Sequence, residues 1–152
     1  MLRFARLILS VSLASIGVAC STAAGEKFSG PATPVNDQGD IYLYRASSVF
    51  ALAQAFDVAL DGKLVGSLSN ASYLHLRLRA GKYLLNVSPG SSAKISVIEV
   101  KPELGKAIFF RYEFQYDLTL GPVGNSLFPN ASIQPRGRET ALLDLKELSA
   151  AK

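Results

Sequence analysis

Chemistry in this chain has few places to reside. There is one cysteine, Cys20, one histidine, His75, one methionine and no tryptophan. A lone Cys and a lone His leave no CxxC, HxxxH or mixed Cys/His spacing, so no metal site is expected and no internal disulfide can form. General base catalysis needs a positioned nucleophile and an orienting group. His75 lies in the alternating run Leu74-His75-Leu76-Arg77-Leu78-Arg79, which places it with Arg77 and Arg79 on the outer, cationic face of a strand, expected to be solvated. Asp57 and Asp61 share a face of another strand but stand about 13 Å apart along it, too far for a glycosidase pair. Neither GxxxxGK[ST] nor a strand-to-helix GxGxxG occurs. The expectation is a protein that is no enzyme and carries no cofactor.

The informative residue is Cys20. Before it, Arg3 and Arg6 form a short basic start and residues 7–19 are an uncharged run, LILSVSLASIGVA, ending in small residues. That layout is a secretory signal peptide covering residues 1–19. A membrane span needs about 20 apolar residues, and here a polar stretch bearing Gly and Pro follows instead. The stretch Ile16 to Cys20 resembles the lipobox of bacterial lipoprotein signals, with Ala19 before the Cys and Gly17 where Leu is usual. The resemblance implies that the Cys20 thiol receives a diacylglycerol, that the chain is cut before it, and that the new N-terminus takes a further palmitate-like acyl chain. An ordinary signal peptide cut after Ala19 or Ala24 is the alternative. Two or three acyl chains hold a protein on a membrane where one does not. Ser21 after the Cys is the uncharged residue that, by the same resemblance, suits an outer-membrane lipoprotein facing the periplasm.

The rest of the chain is of a size for one domain, 152 residues with 49% hydrophobic and 18% charged positions, which excludes a disordered protein. The net charge of +4 includes the two leader arginines and is too mild and too scattered for nucleic acid. Residues 20–39 are rich in Ser, Thr, Ala, Gly and Pro without a period and read as a lipidated Cys plus flexible tether. From Asp40 the pattern alternates. Seven strands are expected near 41–45, 56–61, 63–68, 74–79, 83–88, 95–100 and 108–117, spaced about ten residues apart, with Asp61-Gly62, Ala80-Gly81, Pro89-Gly90 and Pro102 to Gly105 as reversals. Leu142, Leu145 and Leu148 recur every three residues and predict a helix near 138–148. The expected fold is mainly β: a single antiparallel β-sandwich, Ig-like or similar, over 40–148 with a short C-terminal helix and a tail at 149–152.

Asp40-Ile41-Tyr42-Leu43-Tyr44-Arg45, Val58 through Leu68 (VALDGKLVGSL), Arg79-Ala80-Gly81-Lys82-Tyr83 and the aromatic strand 109–116 together resemble a family of bacterial envelope lipoproteins classed only as a domain of unknown function. Its members carry an IYVYR strand, a VDGK.VG.L hairpin, a PGK turn and a YYV strand. The resemblance spans about Asp40 to Leu148 and implies an envelope β-sandwich without catalytic residues.

Two connections are longer than hairpins need, 46–55 (ASSVFALAQA) and 119–130 (TLGPVGNSLFPN). Long loops in compact domains are disproportionately functional, so Phe50, Leu52, Val123, Leu127 and Phe128 are the candidate interaction residues. Alternatively they cover the open ends of the sandwich. The expected function is a lipid-anchored envelope protein acting by interaction or structure, held to the membrane through acylated Cys20 and meeting an envelope protein partner. The other classes open are a small-ligand or glycan-binding module using the same two loops and, third, a hydrolase with an unrecognised site.

Overall fold

The computed structural model describes residues 25–49, 51–88, 95–115 and 130–151. The described chain runs β1 (Gln38–Arg45), β2 (Phe56–Leu60), β3 (Lys63–Leu68), β4 (Ser72–Arg79), β5 (Tyr83–Ser88), β6 (Ser96–Val100), β7 (Ala107–Gln115), β8 (Asn130–Arg136), α1 (Arg138–Leu145) and β9 (Ser149–Ala150). Two sheets face each other, one of five strands in the order β8-β7-β1-β4-β9 and one of four in the order β3-β2-β5-β6, with no closed barrel. The mainly β architecture and the C-terminal helix match the alternating pattern.

Alternation decides which side chains meet between the sheets. Ile41 and Leu43 from β1, Phe56 and Val58 from β2, Leu85 and Val87 from β5, and Phe110 and Tyr112 from β7 form the inter-sheet core. Leu74, Leu76 and Leu78 pack against it from β4, on the face their spacing predicts. Each fully buried apolar side chain contributes about 1.5–3 kcal/mol. The β2–β3 hairpin turns at Asp61-Gly62, where φ is 49° and 79°, the doubly positive pair that a type I′ turn requires and glycine tolerates. Asp61 also accepts the Leu84 N–H through Oδ1 at 2.8 Å, which fastens the turn to β5.

The purely antiparallel expectation needs correction. β1 pairs with β7 in parallel, Tyr42 opposite Phe109, and β4 pairs with β9 in parallel. A parallel pair needs a long crossover, and the whole four-stranded sheet supplies it between β1 and β7. The count also rises from seven strands to nine among the described residues. β8 (NASIQPR) was missed because Asn, Ser and Pro carry turn signals; Pro135 is tolerated because β8 is an edge strand. The expected tail contributes β9.

A second core sits on the outer face of the larger sheet. Tyr42, Tyr44 and Phe109 are buried there under Ala141, Leu145 and Leu148. β1 is thus buried on both faces. The helix covers part of this face, and residues 25–37 cross another part. The Phe28 N–H donates to Leu148 O at 3.1 Å, Lys27 bridges Ser149, and the Ala150 N–H donates to Glu26 O at 2.8 Å. Phe28 meets Tyr42 and Tyr73 edge-on at 5.8 and 5.4 Å. The stretch expected as free tether is therefore docked from Glu26 onward, where its one aromatic residue is half-buried against Tyr42 and Tyr73.

Candidate functional site

Two places gather polar chemistry around the tyrosines of β1. Register creates the first. β1 and β4 pair antiparallel with Asp40 opposite Arg77 and Tyr42 opposite His75, so residues 35–37 positions apart share one outer patch. Asp40 is 3% exposed and its Oδ1 meets His75 Nε2 at 2.7 Å. Arg77 donates to both carboxylate oxygens, Nε to Oδ1 at 2.7 Å and an Nη to Oδ2 at 3.1 Å. Burial by itself would raise the Asp40 pKa, but hydrogen bonds from Arg77 and His75 and their charges outweigh it and hold the carboxyl below its ordinary value. The His75 ring stacks on Tyr42 with centroids 4.5 Å apart and planes 4° from parallel.

His75 is therefore half-buried and engaged, a correction to the solvated face expected for it. What the patch holds is the N-terminal segment. The same Nη of Arg77 also donates to Thr33 O at 2.8 Å, and the Ala32 N–H donates to the Tyr42 hydroxyl at 2.8 Å. An open depression of about 460 Å³ beside it is bounded by Ser29, Gly30, Tyr42, Tyr73, His75 and Ala150. The arrangement works as a clamp. Because the folded Asp40 titrates below its unfolded value near 4, its stabilisation is whole above that pH and is lost as pH falls through the folded value. Acid titration followed by circular dichroism is expected to show a stability loss below about pH 4 in the wild type that is shallower in Asp40→Asn.

Farther along the same face, the Tyr44 hydroxyl donates to Asp144 Oδ2 at 2.7 Å and Arg111 reaches the same oxygen at 3.2 Å. Arg111 and Arg136 both contact Glu113 Oε1. Burial pushes the Tyr44 phenol far up, and the hydrogen bond to Asp144 adds to it. This network pins α1 to β1 and β7.

The second place is the end of the sandwich where the long connections leave. Arg45 closes β1 with its side chain turned into the core, 1% exposed. Its guanidinium lies over the rings of Phe56 and Phe114, 4.8 and 5.4 Å from their centroids. It donates to Gln54 O and Ala51 O, each at 2.7 Å. The Ser48 N–H donates to Asn70 Oδ1 at 3.0 Å, and Asn70 is itself buried. Residues 46–55 are thereby tied down at both ends of their arc.

Of the candidate interaction residues, Leu52 is described and 39% exposed, on this tied arc. Phe50, Val123, Leu127 and Phe128 lie outside the described residues, as do Cys20 and the Pro89-Gly90 reversal. Sequence reasoning missed Val49, 96% exposed on the 46–55 connection, and missed Asp40, Arg45 and Tyr42 as organising residues. A charged residue ending the apolar run Ile41 to Tyr44 was the visible signal for Arg45. Among the described residues no three His, Cys, Asp or Glu side chains gather as a metal site, and no helix is long and apolar enough to cross a membrane.

Comparison with known proteins turned up no match among curated proteins and none among solved structures. Residues 35–123 match a protein family, described as "Protein of unknown function (DUF2846)". The matched range starts just before β1 and takes in all the strands through β7, including Asp40, Arg45, His75 and Arg77. It covers more than half of the 152 residues, and the chain belongs to the DUF2846 family.

Proposed function

We propose that the protein is a lipid-anchored lipoprotein of the bacterial cell envelope, acylated on Cys20 and sorted to the outer membrane, whose two-sheet domain acts in the periplasm by interaction and not by catalysis. The observation that carries this reading is the basic start, the 13-residue apolar run and the small residues leading directly into the chain's only cysteine. The docked N-terminal segment supports it. A tether fastened to the domain at Lys27 and Phe28 suits a protein whose working surface must keep a fixed relation to the membrane. The clamp of Asp40, His75 and Arg77 is satisfied by its own partners, which fits a positioning role.

Replacement of Cys20 by Ser tests the reading. Wild type is expected in the membrane fraction, resistant to high salt and released by detergent, because two or three acyl chains at about 0.8 kcal/mol per buried methylene hold it there. Cys20→Ser is expected in the soluble fraction or retained as an uncleaved precursor. Equal partition of the two proteins contradicts the proposal.

A further inference from the structure

We infer that the free edge of β4 from His75 to Arg79 docks an extended segment of a partner protein, one in which acidic residues alternate with apolar ones, as an added strand of the larger sheet. The inference rests on the interaction role proposed above and not on the anchor. Three observations carry it.

The first is the direction of the main-chain groups. Along a strand, successive residues turn their N–H and C=O groups to opposite sides. The Ala151 N–H donates to Tyr73 O at 2.7 Å, so Tyr73, His75, Arg77 and Arg79 all turn theirs away from β1. β9 reaches only Ser72 and Tyr73. Among the described residues the main chains of His75 and Arg77 therefore meet no backbone partner, and Arg79 O takes the Tyr83 hydroxyl at 3.3 Å. Such a row is a template for another strand.

The second is that the chain already adds a strand at this edge. Residues 149–151 lie along the start of β4, Lys27 bridges Ser149 in turn, and both stop short of the rest of β4. Where β9 ends, the depression of about 460 Å³ opens between Leu74, His75 and Ala151. An incoming strand would enter there, in line with β9. The other edges are less suited, since β8 carries Pro135, β3 pairs with β2 through a register shift at Val58/Ala59, and β6 lies against β8, with Ser96 Oγ donating to Ala131 O at 2.8 Å. β4 keeps an unbroken register with β1 as far as Arg79.

The third is charge, which selects the occupant. The outward side chains of the free stretch are His75, Arg77 and Arg79, and the carboxylate that faces the first two, Asp40, is buried and already held by both. Arg79 is exposed, with no acidic partner among the described residues, and Glu26 and Lys27 stand together at the plugged end. A second copy paired edge to edge about Arg77 would set Arg77 against Arg77 and His75 against Arg79, and like charges directly opposite destabilise a strand pair. Acidic residues at alternate positions are favoured instead. The residues between them extend the face of Leu74, Leu76 and Leu78, which packs on the inter-sheet core, and so are apolar.

Amide hydrogen exchange of the full-length protein in detergent micelles tests the edge. Without peptide, His75 and Arg77 are expected to exchange at least tenfold faster than Leu74 and Leu76. Equal protection would mean that the edge is already covered, and overturns the inference. The probe is an acetylated, fluorescein-tagged peptide of alternating valine and glutamate, with its valine–lysine counterpart as control. The glutamate peptide is expected to slow exchange at His75 and Arg77 severalfold and to bind at least fivefold more tightly by fluorescence anisotropy. Arg79→Glu is expected to reverse that preference, and Arg79→Pro, which removes an edge N–H that makes no bond to β1, to weaken the glutamate peptide without altering the fold. Protection at β3 or β6 instead, equal affinity for the two peptides, or an unchanged preference in Arg79→Glu overturns the inference. So does concentration-dependent protection of His75 and Arg77 without peptide, which would assign the edge to a second copy. Intact mass of the same sample keeps the claims apart. An acylated protein whose edge takes no peptide removes this surface and leaves the anchor, whereas an unacylated Cys20 with peptide bound removes the anchor and leaves the surface.

Discussion

Arg45→Ala is expected to destabilise the domain by about 3–5 kcal/mol, from two part-buried carbonyls left without this donor at about 1–3 kcal/mol each and the packing lost beside two rings. The guanidinium is a permanent cation that burial disfavours, and the fold retains it because it does several things at once. It lies over Phe56 and Phe114 and donates to the carbonyls of Ala51 and Gln54. Alanine leaves both carbonyls without that donor and opens a void beside the two rings. Lysine keeps the charge but loses the planar fork, so Arg45→Lys is expected to recover only part of the loss. The loss should also be uneven in space. Hydrogen exchange at residues 46–55 is expected to quicken in Arg45→Lys more than at the Asp61-Gly62 turn, because the loop arc hangs on Arg45 and the turn hangs on Leu84. Denaturant melts that place Arg45→Ala within about 1 kcal/mol of wild type would show that the cation does not organise this end.

Tyr42→Ala is expected to cost a comparable 3–5 kcal/mol and to free the N-terminal segment. Tyr42 is buried on the outer face of β1, stacked on His75 and, at 5.4 Å and 17°, on Phe109, with Phe28 edge-on against it. Its hydroxyl also accepts the Ala32 N–H. Phenylalanine retains all the ring contacts and forfeits only that acceptor, so Tyr42→Phe should cost about 1 kcal/mol. Trypsin reports the second effect. Lys27 is bridged to Ser149 and is expected to be cut slowly in wild type and Tyr42→Phe but rapidly in Tyr42→Ala. Equal cutting rates at Lys27 in all three proteins would separate the tyrosine from the docking of the segment.

These two residues show where sequence patterning succeeds and where it stops. Alternation along Leu74 to Arg79 and along Ile108 to Phe114 reports which side chains turn inward, and both runs pack as that spacing predicts. Asp61-Gly62 is legible because positive φ at two successive positions is chemically restrictive. Alternation does not report the direction or identity of the neighbouring strand. The parallel pairing of β1 with β7 and the meeting of Asp40 with His75 and Arg77 depend on contacts tens of residues apart. The outer face of the larger sheet was read as wet for the same reason: a polar residue with a partner on another strand has the same local pattern as one in water. Phe28, the one aromatic residue in a stretch of Ser, Gly, Ala and Pro, was the local sign that residues 25–37 do not float free. Among the interaction residues only Leu52 falls within the described parts, and it is exposed on a tied arc.

The anchor is the claim on which the functional account turns, and the intact mass of the protein purified from its native membranes tests it most directly. The account predicts a mature chain that begins at Cys20, heavier than the bare polypeptide by a thioether-linked diacylglycerol and an N-terminal acyl chain. A mature chain that begins elsewhere, or that begins at Cys20 with no added mass, would contradict it.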